Sequence, residues 1–101
     1  MDKNVIATFR LTISGKVQGV WYRASAKDKA LSLGLKGRVW NEANGDVGAI
    51  VQGDENVVHE FIAWCKEGPP LAKVDGVKVE RVEEKDVYED FSIARAPDSM
   101  K

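Results

Sequence analysis

The feature that most constrains this chain is a strand-like run that ends in glycines and passes directly into a helix-forming segment. Val5, Ala7, Phe9, Leu11 and Ile13 alternate with Ile6, Thr8, Arg10, Thr12 and Ser14, so an extended chain here has one apolar face. Ala24 to Leu33 is rich in helix formers. The stretch between and around them, Ser14-Gly15-Lys16-Val17-Gln18-Gly19-Val20-Trp21-Tyr22-Arg23, places Gly15 and Gly19 in a short turn from strand end to helix start. A helix start leaves backbone N–H groups unpaired at the positive end of the helix dipole, where an anion can be held. Arg23 falls in the first turn of that helix and can add a forked, permanently charged donor. The same residues also read as an ordinary strand–helix turn with a surface arginine.

Two familiar phosphate loops are excluded by spacing. A P-loop needs glycine, four residues, then Gly-Lys-Ser/Thr, and Val20 stands where the second glycine belongs. A dinucleotide fingerprint needs three glycines, and the turn has two, Gly15 and Gly19. With a formal net charge of −1 the chain has no global basic field of the kind that recruits nucleic acid, so any anion site is a local arrangement. The single Cys65 forms no internal disulfide and fits a reducing compartment. Asp2-Lys3-Asn4 leads into the first strand without a signal-peptide core, and no apolar run approaches the ~20 residues a membrane helix needs. The expectation is a cytoplasmic, monomeric protein without membrane or nucleic-acid partners.

The rest of the chain supplies a regular order of elements. Tyr22, Ala26, Ala30 and Leu33 recur at helical spacing, and Gly34 is the expected stop. Leu35, Gly37, Val39 and Asn41 alternate with Lys36, Arg38 and Trp40 as a second strand, and Asn44-Gly45 is a strong hairpin signal. A third strand carries Val47, Ala49 and Val51 on one face and Ile50 on the other. Asp54 can cap a second helix whose Val58, Phe61, Ile62 and Cys65 form an apolar stripe, ended by Gly68-Pro69-Pro70. Val74 to Glu83 reads as a fourth strand and Phe91 with Ile93 as a short fifth, followed by a frayed tail from Ala96 to Lys101. The charge run Glu80 to Asp86 reads as solvated strand ends. This β-α-β-β-α-β order predicts an α+β, ferredoxin-like sandwich over one domain, residues 1–101 with a core of about 5–95. Right-handed crossovers set an antiparallel sheet in the order 4-1-3-2, with both helices on one face.

The chemical inventory is narrow. One histidine, His59, and one cysteine, Cys65, cannot make a zinc site, and no carboxylate pair has a spacing that singles it out for acid–base work. Cys65 lies on the apolar stripe of its helix and reads as a small buried hydrophobe, His59 as a surface residue. No metal or cofactor is expected.

Gly15-Lys16-Val17-Gln18-Gly19-Val20-Trp21-Tyr22-Arg23 resembles the G-x-V-Q-G-V-x-[FY]-R signature of the acylphosphatases. Gly37-Arg38-Val39-Trp40-Asn41, followed by Gly45 and Val47, resembles the second signature of that family, and Phe91-Ser92-Ile93-Ala94-Arg95 looks like its terminal strand. The resemblance covers about residues 5–95 and implies hydrolysis of the carboxyl–phosphate bond of acyl phosphates such as acetyl phosphate. It assigns phosphate binding to Arg23 and the positioning of the attacking water to Asn41, with inorganic phosphate as product and inhibitor. The residues make chemical sense of this. An acyl phosphate is an activated anhydride, so holding the phosphoryl group, neutralising its oxygens and aligning a water can suffice. Backbone N–H groups of Gln18, Gly19, Val20, Trp21, Tyr22 and Arg23 can cradle the oxygens. Asn41 can orient a water but cannot deprotonate it, which leaves the substrate phosphate as proton acceptor.

The departures from the family pattern are Arg38 in place of an aromatic, Trp40 in place of Arg, Lys or another long side chain, Asn44 for Asp, and Asp46 for Thr or Ser. A carboxylate at position 46 close to the phosphate site would oppose anion binding. Two other readings compete. A nucleic-acid module would use an open sheet face bearing Thr8, Arg10, Thr12, Arg38, Trp40 and Ile50, although the aromatic pattern of such modules is absent. An acylphosphatase-like unit of a larger maturation protein acting on carbamoyl phosphate would carry a zinc-binding extension, which this sequence lacks.

Overall fold

In a computed structural model, residues 6–83 and 87–95 are described. Val5, residues 84–86 of the charge run and the tail Ala96–Lys101 lie outside them. The elements are β1 (Ile6–Lys16), α1 (Tyr22–Ser32), β2 (Lys36–Asn41), β3 (Val47–Asp54), α2 (Glu55–Cys65), β4 (Lys73–Val82) and β5 (Phe91–Ile93). They form one sheet in the order β4-β1-β3-β2-β5. The first four strands pair antiparallel in the expected 4-1-3-2 order, and β5 adds to the edge in parallel, with Gly37 opposite Phe91 and Val39 opposite Ile93. Three residues carry too little pattern to specify a partner or a direction, so the sequence located β5 without placing it.

The alternation along β1 is converted directly into a core. Ala7, Phe9, Leu11 and Ile13 are buried with Val39, Val47, Ala49 and Val51 from the neighbouring strands. Tyr22, Ala26 and Ala30 of α1 and Val58, Phe61, Ile62 and Cys65 of α2 join the same cluster, so both helices cover one face of the sheet. The buried Tyr22 hydroxyl donates to the Cys65 carbonyl oxygen at 2.7 Å, joining the start of α1 to the end of α2. Its ring also packs on Trp64 at 5.5 Å.

The outer face is not an open platform. Trp40 and Ile50 are buried there, and the indole Nε1–H donates to Glu42 Oε2 at 2.8 Å. Tyr88 lies under the Arg38 guanidinium at 5.2 Å, and its N–H donates to Gln52 Oε1 at 3.1 Å. The one aromatic that the nucleic-acid reading needed for base stacking is therefore covered.

β1 also runs further than the sequence predicts. Gly15 lies within the strand, not in the turn, at a register shift against β4. Its φ is +120°, and a Cβ there would collide with the Lys73 carbonyl oxygen and come within 2.6 Å of the Asp75 nitrogen. Only glycine lets β4 approach at this point. Gly15→Ala should destabilise the protein by about 3 kcal/mol, from backbone strain and collision together. Urea denaturation measures this, and an unchanged midpoint would contradict the strand pairing at Gly15.

Candidate functional site

The turn between β1 and α1 is held at three points and open between them. Val17, Val20 and Tyr22 are buried in the core cluster, whereas Gln18, Gly19, Trp21 and Arg23 stay at or near the surface. Inward valines and a tyrosine thus fix the turn while its other residues and its amides remain available. Gly19 has φ +76°, and nothing lies within 4 Å of where a Cβ would project. Trp21, the N-cap of α1, has φ 68° and ψ 19°, the one non-glycine residue of positive φ among the described residues. Bulky side chains rarely adopt this conformation, and it persists where the surroundings enforce it.

The two helix starts differ in a way that bears on anion binding. The Asp54 carboxylate caps α2, accepting from the N–H of Asn56 at 2.9 Å and of Val57 at 3.4 Å. At α1 no side chain caps the helix and no acidic residue occupies the first turn. Among the described residues nothing accepts from the backbone N–H groups of Gly19 to Ala24. The positive end of α1 is therefore open and uncompensated. Arg23 adds a full charge there and has no ion-pair partner among the described residues. With Val17, Gly19, Trp21, Tyr22, Ala24 and Ile93 it lines a cavity of about 350 Å³. Such a set of donors can hold a tetrahedral oxyanion.

Asn41, the last residue of β2, does not line that cavity. Its link to the turn is the side chain of Gln18, whose Nε2 donates to the carbonyl oxygens of Glu42 and Asp46, each at 2.8 Å. The turn is thus tied to the β2–β3 hairpin immediately beyond Asn41. The Asn41 Oδ1 is buried with no hydrogen-bond partner among the described residues. A buried carbonyl left unpaired is costly. Asp46 belongs to the same hairpin. Its backbone N–H donates to Asn44 Oδ1 at 3.0 Å, and its Oδ2 accepts from Asn44 Nδ2 at 3.2 Å. That carboxylate is engaged within the turn and does not line the cavity.

The remaining reactive groups stand apart from this site. Burial pushes the Cys65 thiol up to about 12, so it stays protonated and is no nucleophile. Burial likewise raises the Tyr22 hydroxyl above its ordinary range. His59 is exposed on α2, 3.8 Å from Glu55. Among the described residues no cluster of three or more His, Cys, Asp or Glu able to hold a metal occurs, and no helix is long and apolar enough to cross a membrane.

Two features escaped the sequence. The strut formed by the Gln18 side chain spans 24 and 28 residues, and no periodicity signals such a contact. Ile93 reaches the cavity only because β5 pairs beside β2.

Known proteins share this fold. The acylphosphatase family model matches residues 9–93. An acylphosphatase of Methylococcus capsulatus is 45% identical over 83 residues, 82% of this chain and 90% of that protein. The structure of an acylphosphatase from Coxiella burnetii superposes with a TM-score of 0.84 at 38% identity, covering 90% of this chain and 94% of that one. Full-length HypF, in a phosphate- and nucleotide-bound form, matches 94% of this chain with 13% of its own length, at a TM-score of 0.83 and 33% identity. With a family model over most of its length and relatives of this similarity, the chain belongs to the acylphosphatase family.

Proposed function

We propose that this chain hydrolyses the carboxyl–phosphate bond of acyl phosphates, with the α1 turn holding the phosphoryl group and Asn41 orienting the attacking water. Family membership supports the reaction, and the observation that carries the assignment of residues is the open start of α1. There, amides and an Arg23 guanidinium without partners among the described residues surround one cavity.

The amides of Gln18 to Arg23 and the Arg23 guanidinium receive the phosphoryl oxygens. They need no reorganisation to do so, because Val17, Val20 and Tyr22 fix the turn from inside. Water oriented by the Asn41 side-chain amide attacks phosphorus. A phosphorus–oxygen bond forms to water, the bond to the acyl oxygen breaks, and the carboxylate leaves with the electron pair. The proton of the water passes to a phosphoryl oxygen, since Asn41 cannot accept it. Products are a carboxylate and inorganic phosphate, and phosphate competes with substrate for the same amides. Arg23 supplies the charge neutralisation that other phosphoryl-transfer sites assign to a metal ion, so catalysis needs no metal. We read the protein as a cytoplasmic monomer, because one chain supplies every group of the site and its single cysteine is free and buried.

Acetyl phosphate hydrolysis, followed as phosphate release in excess chelator, tests this reading. Activity should persist and inorganic phosphate should inhibit competitively. Arg23→Ala should abolish both turnover and phosphate binding, a loss of roughly 2–5 kcal/mol for a charge-assisted contact. Near-normal phosphate affinity in the folded variant would place the cradle elsewhere, and a strict metal requirement would transfer charge neutralisation to the ion.

Asn41 separates orientation from binding. Asn41→Ala should leave phosphate affinity close to wild type while turnover falls on the order of 100-fold. Asn41→Asp keeps the size but sets a carboxylate beside a dianion, so it should be inactive and bind phosphate weakly. An active Asn41→Asp enzyme would make this position a general base and overturn the orienting role.

A further inference from the structure

An acyl phosphate carries its acyl carbon one oxygen away from phosphorus, so the walls beside the phosphoryl cradle meet the acyl group. In this chain those walls are apolar and come from two distant places. Trp21 is 75% exposed and Ile93 is 42% exposed. Both line the cavity of about 350 Å³ that contains Arg23 and Gly19. That volume falls in the range of small-molecule pockets, roughly 300–1,000 Å³.

A lone exposed apolar side chain is ordinary on any protein surface. Trp21 differs because its left-handed backbone, at φ 68°, is a conformation a bulky residue adopts only when held there. It also shares its cavity with a second exposed apolar side chain, which parallel pairing of β5 with β2 delivers to the same place. Arg23 is the one charged side chain among the lining residues, and it is committed to the phosphoryl group. No lining cation is left to balance a second negative charge on the acyl part.

We propose that the Trp21–Ile93 side of this cavity is an acyl-group subsite selecting aromatic and bulky apolar acyl phosphates over small or anionic ones. The proposal rests on the acyl phosphate reading above and adds the class of acyl group. An aromatic acyl ring stacks on the indole and contacts Ile93, an acetyl group reaches neither fully, and a succinyl carboxylate is desolvated without a partner.

The test compares kcat/KM for benzoyl, acetyl and succinyl phosphate in the full chain and in Trp21→Gly and Ile93→Ser. Glycine adopts φ 68° without strain, so Trp21→Gly removes the indole while easing the backbone. The benzoyl-to-acetyl ratio is the readout, because uniform damage to the cradle cancels in it. The ratio should exceed ten in the wild type and drop by about tenfold in Trp21→Gly, the size expected for losing an aromatic pair. It should drop by a smaller factor in Ile93→Ser, and succinyl phosphate should be the poorest substrate throughout. Should Trp21→Gly fail to fold, Ile93→Ser carries the same comparison. Hydrolysis of both substrates with the ratio unchanged in the variants would overturn the subsite and leave the acyl phosphate reading standing. A folded wild-type protein that hydrolyses neither benzoyl nor acetyl phosphate would overturn both.

Discussion

The side-chain amide of Gln18 joins two parts of the chain that local structure alone would leave independent. By donating to the carbonyl oxygens of Glu42 and Asp46, it sets the turn before α1 against the hairpin that follows Asn41. Those two carbonyls converge only because the hairpin is closed, with the Glu42 N–H donating to the Asp46 carbonyl at 2.8 Å. The closure in turn depends on Asn44, whose side chain bonds both the backbone and the carboxylate of Asp46. A short chain of hydrogen bonds thus runs from the turn before α1 to the strand end that carries Asn41. Each is worth only about 1 kcal/mol in net stability, but together they fix the distance on which in-line chemistry depends.

The site is built by leaving local requirements of folding unmet. A helix N-terminus without a cap forgoes about 1 kcal/mol of stability, and α1 lacks the carboxylate that α2 has in Asp54. Trp21 sits in a strained backbone region and the Asn41 Oδ1 is buried without a partner among the described residues. These departures are tolerated because the turn is pinned from below by Val17, Val20 and Tyr22. Tyr22 is itself held by the Cys65 carbonyl. Ground-state groups kept waiting for a ligand are what electrostatic preorganisation requires.

The framework was legible in the sequence because its signals are local and periodic. Alternation along β1, the stripe of α2, the Asp54 cap and the Asn44-Gly45 turn each specify their own element, and right-handed crossovers leave one arrangement of four strands. The candidate pair Arg23 and Asn41 rests on motif resemblance, since no spacing rule connects residues 23 and 41. The placement of Gly15 was misjudged because a glycine before a turn can equally serve a strand that needs close approach. The parallel pairing of β5 and the Gln18 strut both depend on contacts between distant segments, which periodicity does not encode. Asp46, suspected on charge grounds, has its carboxylate engaged by Asn44, a local bond visible only once the hairpin geometry is known.

The most direct test of the claim that turn and hairpin act as one site is the kinetics of Gln18→Met, which keeps the length of the side chain and removes its donors. Turnover of acetyl phosphate and the inhibition constant for inorganic phosphate should be measured together on the folded variant. Binding phosphate needs only the turn and Arg23, so affinity should change by no more than a few-fold. Turnover needs Asn41 in register with that turn and should fall by roughly 10–100-fold, the scale of a small misplacement of reacting groups. Unchanged turnover would show that Gln18 does not hold the two parts in register. An equal loss of turnover and phosphate affinity would show that it only shapes the cradle.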